Sequence, residues 1–165
     1  MSKTHFTKIS SRDLETRLTE DDHNALRLWL KLLSTSQLIE NNIREQLRVN
    51  FDITLPRFDL MAQLHRHSEG LSMSSLAELM MVSGGNVTSI VKQLERDKLV
   101  SRTPLKNDNR SFIVKLSAKG KHMFEEMAPT HEKWIVELTE GLDDQRINNL
   151  IESLDQIKTH LKNGM

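Results

Sequence analysis

Cysteine is missing from the 165-residue chain. That excludes disulfides, thiolate metal sites, thiol redox sensing and cysteine nucleophiles, and it suits a reducing cytoplasm. Long apolar runs are missing too: the longest covers only residues 79–82, against the roughly 20 that a membrane-spanning helix needs. The first residues, Met-Ser-Lys-Thr-His-Phe-Thr-Lys, contain no apolar signal region, so a soluble cytoplasmic protein is expected. Catalytic signatures are also absent. There is no Gly-x-Ser-x-Gly, no His-Glu-x-x-His, no glycine loop for phosphates and no dinucleotide fingerprint, so neither an enzyme nor a cofactor is expected. Histidines are scattered. His65 and His67 point to different sides of a helix and His122 with Glu126 share one face, but no set of three or four convergent ligands forms, and no metal is expected.

The formal charges cancel at 23 basic against 23 acidic residues, yet their distribution is uneven. Residues 84–121 hold nine cations (Lys92, Arg96, Lys98, Arg102, Lys106, Arg110, Lys115, Lys119 and Lys121) against Glu95, Asp97 and Asp108. Residues 122–165 hold four basic and nine acidic side chains. A basic island between near-neutral and acidic flanks is the footprint of an anion-binding segment, with nucleic acid its commonest partner.

Hydrophobic periodicity organises the chain as mainly α with a small β-hairpin. Residues 1–19 read as a loose arm. Thr19-Glu20-Asp21-Asp22 supplies a hydroxyl cap and acids in a first turn, and nothing breaks the helix from His23 to about Val49. Leu26, Trp29, Leu30, Leu33, Ile43 and Leu47 form one stripe, while Leu28, Leu32 and Leu38 add apolar surface elsewhere. A helix apolar on several sides must bury several sides, which suggests a second subunit. Thr54 and Pro56 open the next helix, with Phe58, Met61, Leu64 and His65 at helical spacing, and Glu69-Gly70 ends it.

Ser72 caps a short helix through Leu79 or Met80, a turn follows at Met81-Val82, and Ser83 caps a second helix to about Asp97. A helix-turn-helix needs a small residue where its helices touch, here Ala77, and apolar residues at fixed offsets, here Leu76, Met80, Val82, Val87 and Ile90. The turn position that is usually glycine is Met81, which calls for a slightly different turn. The second helix buries Val87, Ile90, Val91 and Leu94 and shows Gly85, Asn86, Thr88, Ser89, Lys92 and Arg96. Asn and Thr suit base edges, and basic groups suit phosphates. After Lys98 the period falls to two. Residues 99–103 and 111–116 read as strands around a polar tip carrying Lys106, Asp108 and Arg110, a wing whose cations reach the minor groove with Asp108 orienting Arg110. Ser117 opens a helix towards Glu140 with a kink expected at Pro129. A last helix carries Ile147, Leu150, Ile151, Leu154, Ile157 and Leu161 on one stripe.

With residues 52–58 (Asp-Ile-Thr-Leu-Pro-Arg-Phe), Ser74-Ser75-Leu76-Ala77, Gly85-Asn86-Val87-Thr88, Asp108-Asn109-Arg110-Ser111 and residues 114–120 (Val-Lys-Leu-Ser-Ala-Lys-Gly) in this order, the chain resembles the MarR family of bacterial winged-helix regulators. The resemblance implies a winged helix-turn-helix DNA-binding domain over 51–116 and a helical dimerisation region over 20–50 and 117–165. It implies a homodimer on a palindromic double-stranded operator, most often a repressor released by a small molecule. It adds Ser74 to the DNA contacts, sends Arg110 into the minor groove braced by Asp108, and turns residues 86–92 to the major groove. Members with Gly-Asn-Val-Thr look like regulators of aromatic-acid breakdown, which implies an aromatic carboxylate or its coenzyme A thioester as effector. The family's pocket would then be lined by Trp29, Leu33, Gln37, Phe58, Met61 and His65. Competing readings are a metal-responsive or ligand-independent regulator and a winged helix that docks proteins.

Overall fold

The structure, a computed structural model, describes residues 23–105 and 108–164, the side chains of 105–111 excepted. The expected arm over 1–19 and the cap at Thr19 lie outside the described residues. The chain divides into two compact units, the first ending at His131 and the second beginning at Glu132.

In the first unit, α1 (Asn24–Phe51) is capped by His23, whose Nδ1 accepts the Ala25 N–H at 3.3 Å. Its described start therefore falls just past the acidic run that the sequence suggested. Only Ser34, Ile43 and Leu47 on this 28-residue helix are buried. Next comes α2 (Leu55–Arg66), with Pro56 in its first turn where a missing N–H costs little. It buries Phe58, Leu60, Met61 and Leu64. A two-residue strand β1 (Leu71–Ser72) leads into α3 (Met73–Leu79), and the cap at Ser72 is as expected, its Oγ accepting the Ser75 N–H at 3.0 Å. The following helix α4 (Gly84–Arg96) is capped by Ser83 and buries Val87, Ile90, Val91 and Leu94, the four residues read from the sequence.

Strands β2 (Val100–Leu105) and β3 (Asp108–Leu116) form the wing, antiparallel from Val100 opposite Leu116 to Pro104 opposite Phe112, with an irregularity between Pro104 and Leu105. Both strands run further towards the tip than their β-branched cores suggested. The sheet has a third strand that the sequence reading missed: β1 pairs with β3, Leu71 opposite Val114. Gly70 makes this pairing possible. It holds φ +86°, and a Cβ there would meet Ile113, Val114 and Lys115 atoms at 2.6 Å.

The turn between α3 and α4 keeps its left-handed residue without glycine. Met81 takes φ 54°, its N–H bonds Glu78 O at 3.1 Å, and the Val82 N–H reaches Ala77 O at 3.1 Å, the two bonds of a Schellman ending. The expectation of a different turn is thus corrected: the geometry is retained and methionine bears it. Val82 is also more exposed than its pattern position implied, at 36%. Lys98, φ 60°, closes α4 in the same way, with Leu99 N–H on Leu94 O at 2.8 Å.

Helix α5 (Ala118–Leu138) begins against that closure. Ser117 Oγ accepts the Gly120 N–H at 3.0 Å and donates to Lys98 O at 2.7 Å, while Ser117 N–H bonds Leu99 O at 3.0 Å. Gly120 is the point of closest approach, since a Cβ there would sit 1.9 Å from Leu99 O. The helix continues through Pro129 as one element. In the second unit, Asp143 caps α6 (Asp144–Asn163) by accepting the Arg146 N–H at 2.8 Å, and no residue of α6 is buried. No helix among the described residues is long and apolar enough to cross a membrane.

Candidate nucleic-acid interface and adjoining cavity

α4 is held rigidly before it offers anything to a partner. Beyond its four buried residues, Asp97 at its C-cap pairs with Arg57 of α2, a side chain only 15% exposed, and Lys119 Nζ donates to Asp97 O at 3.1 Å. Arg102 of β2 reaches back to Glu95 at 2.9 Å and lies 5.3 Å from the Phe112 ring centroid, so one guanidinium ties the wing to α4. These contacts fix where the wing stands relative to the helix.

The structure brings most of the sequence-derived DNA contacts onto one segment. Gly85, Asn86, Ser89, Lys92 and Arg96 are exposed along α4 and Thr88 is half-buried. The Thr88 hydroxyl donates to Gly84 O at 2.9 Å, which leaves its methyl and an oxygen lone pair for a partner. Ser74 is exposed on α3, within 2.9 Å of Ser72 Oγ. The basic island is less free than its composition suggests. Arg102, Lys115 and Lys121 are paired with Glu95, Glu69 and Glu125, and Arg96 lies 3.7 Å from its neighbour Asp97. Among the described residues, Lys92 and Lys98 form no ion pair. Lys106 and the side chains of Asp108 and Arg110 lie outside the described residues; the backbone of Asp108 and Arg110 belongs to β3.

Beside α4 lies a cavity of about 780 Å³. α2 contributes Phe58, Asp59, Ala62, Gln63 and Arg66, the positions i, i+1, i+4, i+5 and i+8 that share one helix face. α1 adds Glu40, α5 adds Phe124 and His131, and α4 adds Asn86, Ser89 and Ile90. Asn86 and Ser89, expected at the DNA, therefore also line this cavity. Three rings cluster at its wall: Phe58 lies 5.4 Å from Phe124 and 4.6 Å from His131, centroid to centroid. Burial holds the His131 imidazole below its ordinary pKa, so it is neutral at neutral pH. Desolvation, with Glu40 as the second cause, pushes the Asp59 carboxyl up to about 6.

Of the six residues expected at an effector pocket, Phe58 lines this cavity. Met61 is fully buried on the core side of α2, and His65 lines a separate recess of about 440 Å³, within 3.6 Å of Glu125. Trp29, Leu33 and Gln37 lie on the N-terminal half of α1 and line neither; Trp29 is 58% exposed. Asp59, Gln63 and Arg66, which line the cavity, look in the sequence like the solvated face of an amphipathic helix. His122 and Glu126 do share a helix face, at 3.5 Å. Among the described residues no group of three potential metal ligands forms.

Residues 53–112, from the end of α1 through the wing, match the MarR family. Over this segment, about a third of its length, the chain is similar to the MarR family. Its relatives carry the names of transcriptional regulators, not of enzymes. The transcriptional activatory protein BadR of Rhodopseudomonas palustris is 27% identical over 141 residues, 84% of this chain and 79% of BadR. The transcriptional repressor YetL of Bacillus subtilis is 26% identical over 137 residues, 82% of this chain and 81% of YetL. Among solved structures, a mutant Escherichia coli MarR in complex with operator DNA superposes with a TM-score of 0.74 at 22% identity, covering 88% of this chain and 99% of that one. The MarR fold thus extends well beyond residues 53–112.

Proposed function

We propose that this protein is a DNA-binding transcriptional regulator of the MarR family, acting as a homodimeric repressor on a palindromic operator and released when a small molecule enters the cavity beside α4. The observation that carries the reading is the exposed row Gly85, Asn86, Lys92 and Arg96 on a helix whose position is locked to the wing by Arg102. Small and amide groups at the helix start approach base edges, Lys92 and Arg96 take phosphates, and Arg110 on the wing takes the minor groove. Two copies of α4 about 34 Å apart would read successive major grooves of a palindrome. The second copy is suggested by apolar side chains open to water on α1 (Leu26, Leu28, Trp29) and on α6 (Leu150, Ile151, Leu154, Leu161), each at least 39% exposed.

Release follows from what the cavity touches. Asn86, Ser89 and Ile90 belong to α4, so an occupant contacts the reading helix itself. It weakens DNA binding to the extent that it prefers the conformation that does not fit the operator. An aromatic carboxylate, the effector class that the resemblance implies, would find Arg66 as a counter-ion but Glu40 and Asp59 as neighbours.

Fluorescence anisotropy on the DNA upstream of the protein's own gene, at fixed salt and with excess unrelated duplex, tests the reading. Binding should survive the competitor. Arg110→Ala should cost about 1–3 kcal/mol, and Lys92→Ala should weaken all duplexes alike and lower the salt slope by about one. Equal affinity for every duplex would reduce α4 to a non-specific DNA-holding surface.

A further inference from the structure

The cavity beside α4 has an electrostatic character that the family resemblance does not imply. Its polar wall is acidic. Asp59 stands one residue from Phe58 on α2, and Glu40 faces the same space from α1. Glu40 already shares its carboxylate with Arg44 one turn along α1. Asp59 has no such partner: among the described residues it makes neither a hydrogen bond nor an ion pair. One cationic side chain, Arg66, lines the cavity, but it is seven residues beyond Asp59 on the same helix. That is about 10 Å along the axis at 1.5 Å per residue, and among the described residues the two side chains form no ion pair. His131, the remaining basic group in the wall, is held neutral by burial.

The cavity that Asp59 lines also has the largely buried rings of Phe58 and Phe124 in its wall. A carboxylate and aromatic rings around one cavity suit one kind of guest. An ammonium gains Coulomb attraction from the acid and quadrupole attraction from the rings, both strengthened by partial desolvation. An anionic guest in the same place meets repulsion from Asp59 and nothing favourable from a ring face.

We propose that this cavity binds a small aromatic monocation, an arylalkylammonium whose charge faces Asp59 and Glu40 and whose ring packs on Phe58 and Phe124. The proposal rests on the reading of the cavity as the effector site and supplies the charge of the effector. It also explains why Asn86 and Ser89, neutral hydrogen-bonding groups of α4, form the side towards the DNA: they can register an occupant without competing for its charge. The titratable and charged groups that line the cavity with Asp59 are Glu40 from α1, Arg66 from α2 and His131, held neutral, from α5, with none from α4. With burial raising the Asp59 carboxyl to about 6, an ammonium guest binds best above that value and loses affinity progressively as the carboxyl is protonated.

Isothermal titration of the full-length protein with 2-naphthylmethylammonium and with 2-naphthoate, which carry the same ring and opposite charges, tests the assignment. At pH 7.5 the ammonium should bind at least tenfold more tightly than the carboxylate. Its affinity should fall severalfold between pH 7 and pH 5. Asp59→Asn should lose most of the preference and flatten the pH profile, while circular dichroism confirms that the variant folds. Tighter binding of 2-naphthoate, no binding of either probe, or an unchanged ammonium affinity in Asp59→Asn would each overturn the proposal. Operator release, measured alongside by anisotropy, separates the two ideas. Ammonium binding without release keeps the charge assignment and removes the effector role. Release by 2-naphthoate keeps the effector role and removes the charge assignment.

Discussion

Helices α4 and α6 look alike on paper and fare differently in the structure. Both carry an apolar stripe at helical spacing and a serine or aspartate N-cap. α4, 13 residues long, buries Val87, Ile90, Val91 and Leu94 completely or nearly so. α6, 20 residues long, buries nothing, and Leu150 and Ile151 are each 52% exposed. Periodicity reports that a helix has a face to hide, not what will hide it. α4 finds its cover within the chain, from α2, α3 and β2. The α6 stripe is complete as a pattern and uncovered, and a homodimer is the cover we propose.

The sharpest way to break that comparison is to charge the stripe. Leu154→Asp, with Leu150→Asp as a second variant, should abolish the dimer in sedimentation equilibrium. With two half-sites no longer engaged together, apparent operator affinity should fall by about 10²–10⁴-fold. Secondary structure should survive, because no buried contact of the single chain is lost. A dimer that persists with both substitutions would mean that α6 is not the element covered by the second copy.

The reading head offers the converse case, where cover is supplied by backbone. Gly120 allows the start of α5 to press on the turn that closes α4, with a hypothetical Cβ only 1.9 Å from Leu99 O. Gly120→Ala must move either α5 or the α4–β2 turn. We expect a loss of about 3 kcal/mol in urea unfolding, in the range of overpacked cores. An unshifted midpoint would show that α5 begins independently of α4, and would loosen the claim that the wing and the reading helix move as one piece.

The legibility of the sequence follows the same division between local and distant causes. Ser72 and Ser83 announce their helices because a cap acts within three residues. The buried face of α4 is likewise legible, and so are the hairpin and the Ser117–Gly120 start of α5. Strand β1 is not, because two residues are too few to show a period of two, and its pairing depends on Gly70 meeting residues 113–115 far along the chain. The cavity is legible only at Phe58. Asp59, Gln63 and Arg66 read as a solvated face of α2 until α1, α4 and α5 are placed around them, and no spacing rule within one helix contains that placement. Met61, expected at an effector pocket, is fully buried in the core, and Leu33 follows the apolar stripe along α1.

The smallest effect is the one that separates strain from packing. Sequence rules put glycine where a helix ends in a left-handed residue, but Asp52, Met81 and Lys98 all hold positive φ here. Met81 is the cleanest of the three, because its side chain is 92% exposed and contributes no burial that a substitution would lose. A non-glycine residue in this conformation costs about 1–2 kcal/mol, whereas glycine costs about 0.4–1 kcal/mol through the freer unfolded chain. Met81→Gly should therefore stabilise the protein by about 0.5 kcal/mol and raise Tm by about 1–2 °C. It leaves both hydrogen bonds of the Schellman ending in place. A destabilised variant would mean that the exposed methionine makes a contact in the assembled protein that the single chain lacks, and would make this turn, like α6, a surface waiting for its cover.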